Sequence, residues 1–230
     1  MPVSKPDGSL RICIDYRALK KITIKDKYPL PRIDKILDNL NSVKFFSTLY
    51  ATSGYYQIAM AERDKEKTAF AWRNELYDFN RMPFGFCNAP ATFQRYMDKV
   101  FRKKLGIFVI PYLDDIIIYF KSIEDHKDYL KLVVNRLKSA GVRLNKKKCH
   151  FFKTKIKVLE NIVTEGCIKP DPGKVKAIRE YPAPNTIKEL RSFLGTVSYC
   201  RRFIVDYALI VAPLNNLLKG KTRRSTKRIS

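Results

Sequence analysis

The chain has 230 residues, 26.8 kDa and 45% hydrophobic side chains, enough to bury a substantial core in one large or two small domains, which excludes a disordered tail. Its 46 Lys and Arg against 22 Asp and Glu give a formal charge of +24. That excess points to a polyanionic partner, nucleic acid being the commonest, and the plainer alternative is a basic structural protein.

No apolar run approaches the roughly 18 residues that a membrane span needs, and nothing at the N-terminus has the apolar stretch of a signal peptide, so no membrane partner is expected. The five cysteines, Cys13, Cys87, Cys149, Cys167 and Cys200, are widely spaced with no Cys-x-x-Cys pair. They disfavour a disulfide framework or a zinc site and suit reduced thiols in cytoplasm or nucleus. The neighbours Cys149 and His150 offer two ligand types but no site.

In chain order, "KPDGSLRICIDYR" predicts a turn at Asp7 and Gly8, then a strand through Leu10, Ile12 and Ile14. The chain thus opens almost inside an element, which suggests an N-terminal truncation. "RIDKILDNLN" predicts a short helix with Ile33, Ile36, Leu37 and Leu40 on one face, and "VKFFSTLYA" a strand. "TAFAWRNELYDFNRMPFGF" reads as a hairpin leading into a Pro-Phe-Gly turn. A helix follows from the N-cap candidate Asn88, with a proline in its first turn and a basic last turn.

"GIFVIPYLDDIIIYF" suits two buried strands joined by a tight turn. Ser122 with Asp125 then starts a helix whose apolar face is Leu130, Val133, Val134 and Leu137 and which Gly141 ends. Beyond Cys149, "KVLENIV" reads as a strand and "DPGKVKAIREYP" as a helix closed by proline. Thr186 and Glu189 make a capping box for a helix with Leu190, Phe193, Leu194 and Val197 inward, and a last helix lies around "PLNNLLKG". The residues 221–230 form a polar, basic tail expected to be disordered. Strands and helices without strict alternation predict an α+β domain followed by a helical module, with a break near residue 165.

The adjacent carboxylates Asp114 and Asp115 stand inside an apolar run, "VIPYLDDIIIYF". Like charges side by side in apolar surroundings need compensation by a metal, an arginine or water. At a hairpin tip in a strongly basic protein, they suggest magnesium chemistry on phosphates; the alternative is a solvated turn in which Asp is simply a good turn former.

"YLDD" after an apolar strand resembles motif C of reverse transcriptases. The blocks "DGSLRICIDYRALKKITIKDKYPLPRID", "SGYYQI", "KTAF", "MPFGFCNAPATFQRYMD", "GVRLNKKKC" and "KELRSFLGTVSYCRRFI" resemble, in order, the Pol protein of gypsy-class long-terminal-repeat retrotransposons. The resemblance runs over essentially the whole chain. It implies an RNA-directed DNA polymerase with an α+β right-hand fold and an antiparallel palm sheet. Partial fingers would span 1–25, palm 26–57, the fingers return and MPFG loop 58–89, palm 90–165, and thumb 166–220.

The resemblance also implies partners and roles: an RNA or DNA template-primer, deoxynucleoside triphosphates, two Mg2+ ions and other parts of a Pol polyprotein. Asp114 would be a metal ligand and Asp115 its partner. Arg11 and Lys5 would grip the triphosphate, unless they are ordinary surface cations. Tyr55 would underlie the incoming sugar, with Phe84 packing against template and nucleotide. Lys148 would be the acid that protonates pyrophosphate, or else would solvate phosphate as the last of three lysines. Arg191, Arg201 and Arg202 on one helix would track the template-primer backbone by charge.

The pattern breaks in three places. Motif A of the family reads approximately Phe-Ser-x-Leu-Asp-Leu-x-Ser-Gly-Tyr, and its aspartate is the third metal ligand; here "FSTLYATSGYYQ" puts Tyr50 at that position. A phenol of pKa about 10 is a neutral oxygen on a bulky ring where the site needs a compact anion, so metal affinity and activity are expected to fall sharply. Glu75 stands for a usual glycine and would be costly if its turn needs a positive φ. "LEN" replaces the primer-grip-like Leu-Gly-His, so Glu160 adds an anion near a primer phosphate. No segment resembling the family's RNase H domain follows the thumb. The chain therefore reads as a degenerate reverse transcriptase, impaired or inactive as written, with a non-catalytic nucleic-acid-binding remnant as the alternative.

Overall fold

A computed structural model describes residues 2–4, 8, 10–12, 14–102 and 104–219, with 2–4 and 10–12 as backbone only. Lys5, Cys13 and the tail 221–230 lie outside the described residues. The chain divides after Ile156 into two compact units.

In the first unit, β1 (Pro2–Ser4) and β2 (Leu10–Ile12) form an antiparallel pair. Then follow α1 (Arg17–Ile22), α2 (Ile33–Asn41), β3 (Phe45–Tyr50), a 3-10 turn (Gly54–Gln57), α3 (Glu62–Lys65), and the hairpin β4 (Phe70–Trp72) and β5 (Glu75–Tyr77). Next come α4 (Ala89–Phe101), β6 (Val109–Tyr112), β7 (Asp115–Phe120), α5 (Ile123–Ser139), a 3-10 turn (Lys146–Lys148), β8 (His150–Lys153) and β9 (Lys155–Val158), within which the division falls.

The central sheet has the order β6-β7-β3-β8, with antiparallel neighbours throughout. Ile116, Ile117 and Ile118 of β7 are all fully buried, so both faces of that strand are covered. Phe93, Met97 and Phe101 of α4 and Val133 and Leu137 of α5 pack with Leu49, Val109, Ile116 and Ile118 into one apolar core. The α5 boundaries follow the sequence: the Ser122 hydroxyl accepts from the Asp125 amide, and Gly141 adopts φ 71° after the last turn. Val134, expected inward, faces solvent.

Asn88 precedes α4 as expected but does not cap it with its side chain. Its amide group accepts from Asp26 N at 3.0 Å and donates to the Ile24 carbonyl at 2.9 Å, so it clamps the loop before α2 instead. The hairpin turn between β4 and β5 takes its positive φ at Arg73 and Asn74, while Glu75 pairs with Trp72 in the ladder. The penalty expected at Glu75 therefore does not arise there. Asn74 suits the left-handed region; Arg73 suits it less well.

In the second unit, "KVLENIV" is two strands rather than one. Leu159 and Glu160, at φ 48° and 61°, turn the chain from β9 into β10 (Asn161–Thr164), which pairs with β11 (Cys167–Pro170) in a sheet of order β11-β10-β9. After it come α6 (Pro172–Arg179), α7 (Ile187–Ser198) and α8 (Tyr207–Asn216). The capping box of Thr186 and Glu189 forms, and Leu190 and Leu194 of α7 pack on Val211 of α8. The last helix begins earlier than its sequence suggested, at Tyr207, and contains Pro213 within it.

Candidate functional site

The carboxylate pair sits where the sequence put it, at the turn between β6 and β7. Tyr112 pairs with Asp115 across that hairpin, which leaves Leu113 and Asp114 as the two turn residues, with Leu113 at φ 52°. A leucine in the left-handed region costs on the order of 1–2 kcal/mol and persists only where neighbours over-determine it. Gln94 supplies that constraint. Fully buried on α4, it accepts from Leu113 N at 3.0 Å and donates to the Pro111 carbonyl at 2.9 Å and to Asp98 Oδ1 at 2.9 Å. Sequence reasoning missed this residue; the signal was a polar side chain on the apolar face of "PATFQRYMD".

Asp114 is fixed from a second side. Ala51 N donates to its carbonyl at 2.8 Å, and its Oδ1 lies so close to Gly54 that a Cβ there would stand 2.3 Å away, with Phe93 Cζ at 2.8 Å. Gly54 is thus required by the approach of the carboxylate to the 3-10 turn that carries Tyr55. The Tyr55 ring packs at 5.1 Å on Phe84 and 5.9 Å on Phe93, so the two aromatics named from the sequence do meet beside Asp114. Burial pushes the Tyr55 hydroxyl above its ordinary pKa, and the Asp114 carboxylate and the Tyr50 phenol add to the rise.

Tyr50 ends β3 directly opposite Asp115 of β7. Asn145 N donates to its carbonyl at 2.8 Å, and the segment capped by Asn145 brings Lys148 Nζ to 4.6 Å from the Tyr50 ring centroid. Asp115 is accessible to solvent, yet the protein around it raises its carboxyl above the usual range, with the Lys148 charge opposing the rise. Six residues named from the sequence, Tyr50, Tyr55, Phe84, Asp114, Asp115 and Lys148, therefore gather at one end of the central sheet.

The remaining candidates lie apart from this cluster or beyond description. Of Arg11 only the backbone is described, in β2. Arg191 is on α7, but Arg201 and Arg202 are not on that helix. It closes at Ser198 through bonds from Tyr199 N to Thr196 O and from Cys200 N to Val197 O, and the two arginines occupy the following 3-10 turn. Glu160 pairs with Lys174 at 3.0 Å, so its charge is partly neutralised within its own unit.

Among the described residues no group of three His, Cys, Asp or Glu side chains could hold a metal. Magnesium takes oxygen ligands, and two ions need carboxylates that bridge them. Two carboxylates, a neutral phenol and an ammonium group do not fit a two-metal centre. The described cysteines are free thiols, and no described helix is long and apolar enough to cross a membrane.

Comparison with known proteins identifies the family. Residues 3–162 match the family model described as reverse transcriptase (RNA-dependent DNA polymerase). The chain is 44% identical over 229 residues to the retrovirus-related Pol polyprotein from transposon 297 of Drosophila melanogaster, covering 98% of the chain and 22% of that protein. To the polyprotein of transposon gypsy from the same organism it is 44% identical over 220 residues, covering 96% and 21%. To the transposon Tf2-3 polyprotein of Schizosaccharomyces pombe it is 34% identical over 223 residues, covering 97% and 17%. The chain thus spans about a fifth of the length of these curated relatives. Among solved structures, the foamy viral protease-reverse transcriptase dRH in complex with double-stranded DNA superposes with a TM-score of 0.88 at 28% identity, over 98% of this chain and 40% of that one. The foamy viral protease-reverse transcriptase in complex with an RNA/DNA hybrid gives 0.82 at 28% identity, over 100% and 31%.

Proposed function

Because the chain belongs to the reverse transcriptase (RNA-dependent DNA polymerase) family, we propose that it is the polymerase domain of a retroelement Pol protein that binds an RNA or DNA template-primer, with its nucleotidyl transfer impaired as the sequence stands. The observation that carries the impairment is Tyr50, in cross-strand register with Asp115 at the position of the motif A carboxylate. Reverse transcriptases use divalent metal ions, and the donor set here does not fit two of them.

The remaining roles follow from chemistry and placement. Tyr55, backed by Phe84 and Phe93, offers a ring face beside Asp114 for the sugar of an incoming deoxynucleoside triphosphate. Lys148, exposed next to Asp115, is placed to meet a phosphate. Arg11 and Lys5 serve the triphosphate from the fingers, 1–25 and 58–89, over a palm of 26–57 and 90–165. In the thumb, 166–220, the accessible Arg201 and Arg202 and the partly buried Arg191 attract the nucleic-acid backbone without reading bases. Its partners include other parts of a Pol polyprotein, in the cytoplasm or nucleus.

Binding is tested apart from chemistry by fluorescence anisotropy with a labelled RNA/DNA template-primer. A charge of +24 is expected to give an affinity that falls steeply and log-linearly with salt. Binding that is absent at low salt, or insensitive to it, overturns the proposed partner.

A further inference from the structure

Two carboxylates side by side repel each other, a nearby cation relieves that repulsion, and the fold sets one whose charge reaches Asp115. The bond from Asn145 N to the Tyr50 carbonyl draws the 3-10 turn Lys146–Lys148 to the end of β3, and Lys148 Nζ then stands 4.6 Å over the Tyr50 ring. The ring offers its electron-rich face to the ammonium group, which favours Lys148 at the strand end. Tyr50 is in turn opposite Asp115, which feels the Lys148 charge. A tyrosine at this position thus does two things at once. It withholds an anionic ligand, and it seats a cation where the charge of a metal would otherwise act.

We propose that Lys148, held on the Tyr50 ring, is the built-in counter-charge of the Asp114–Asp115 turn and opposes the entry of a divalent ion. This role rests on the reading of the site as catalytically impaired and adds what stands in for the metal. An ammonium group on the Tyr50 ring, whose charge Asp115 feels, repels an approaching divalent cation, and being exposed it does so less at high salt.

The probe is Mn2+, with its free concentration followed by electron paramagnetic resonance as the chain is titrated at low ionic strength. The unaltered chain is expected to bind Mn2+ weakly. Lys148→Met should bind it about tenfold tighter, the effect of removing one unit charge close to a divalent ion at a protein surface. Tyr50→Leu, which releases Lys148 without adding a ligand, should give a smaller gain in the same direction. Adding Asp115→Asn to Lys148→Met should abolish the gain. Tight Mn2+ binding by the unchanged chain, equal affinity in the Lys148→Met variant, or a gain that survives Asp115→Asn overturns the counter-charge. Primer extension by the unchanged chain would instead overturn the impaired-chemistry reading, so the two failures are distinguishable.

Discussion

Tyr50 and Asp115 are cross-strand partners, the last residue of β3 facing the first residue of β7. Neighbours in an antiparallel pair have Cβ atoms about 4.5–5.5 Å apart, so whatever stands at position 50 decides how the second carboxylate of the turn is used. With aspartate there, three anions would converge; with tyrosine, a ring and the ammonium group it carries face two.

Gln94 should matter as much for folding as the carboxylates do for function. Gln94→Leu keeps the side chain's bulk but leaves Leu113 N and the Pro111 carbonyl without their buried partner. A loss of about 1–3 kcal/mol is expected, read as a lower urea midpoint. An unchanged midpoint would mean that Gln94 does not hold the turn.

Glu160→Gly is expected to stabilise the second unit. Glu160 sits at φ 61°, where a side chain is strained and glycine is not, and its ion pair with Lys174 is exposed enough to contribute little. Relief of strain less the added freedom of glycine in the unfolded chain should leave a gain of about 0.5–1 kcal/mol. Thermal melts that show a loss would assign more to the Lys174 pair than its exposure allows.

His126 makes stability sensitive to mild acid. Fully buried, with Nε2 at 2.6 Å from Ser47 Oγ, it links α5 to β3, and Ser47 Oγ also accepts from Phe152 N of β8. Burial lowers its pKa, with the Phe45 backbone opposing. The unfolded chain therefore takes up a proton first. Stability should be complete above about pH 6.5, the ordinary histidine value, and decline as pH falls below it toward the folded-state value. Chemical denaturation from pH 8 down to pH 5 checks the slope, and His126→Gln should flatten it; a slope that persists in the variant would place the effect elsewhere.

Much of the fold was legible because its signals are local. The capping box at Thr186 and Glu189, the Ser122 cap of α5, and the apolar strands on either side of Asp114 and Asp115 each need only a few neighbouring residues to be read. The cluster of Tyr55, Phe84 and the carboxylates was legible through the order of motifs. What stayed hidden depends on contacts between distant segments. Gln94 looked like one more polar helix residue until α4 met the turn, and the seat of Lys148 on Tyr50 exists only because β3 and the chain around Asn145 are bonded together. The break between β9 and β10 was missed because Leu159 and Glu160 carry no turn signal; glycine would have announced it. Gly54 likewise shows its purpose only beside Asp114 and Phe93.

The impaired chemistry is tested most directly by magnesium-dependent extension of a DNA primer on an RNA template, comparing the unaltered chain with Tyr50→Asp. The unchanged chain is expected to extend no primer above background, and Tyr50→Asp to raise the rate by about a hundredfold or more, the scale on which one principal electrostatic group acts on a transition state. Robust extension by the unchanged chain, abolished by Asp114→Asn, would contradict it.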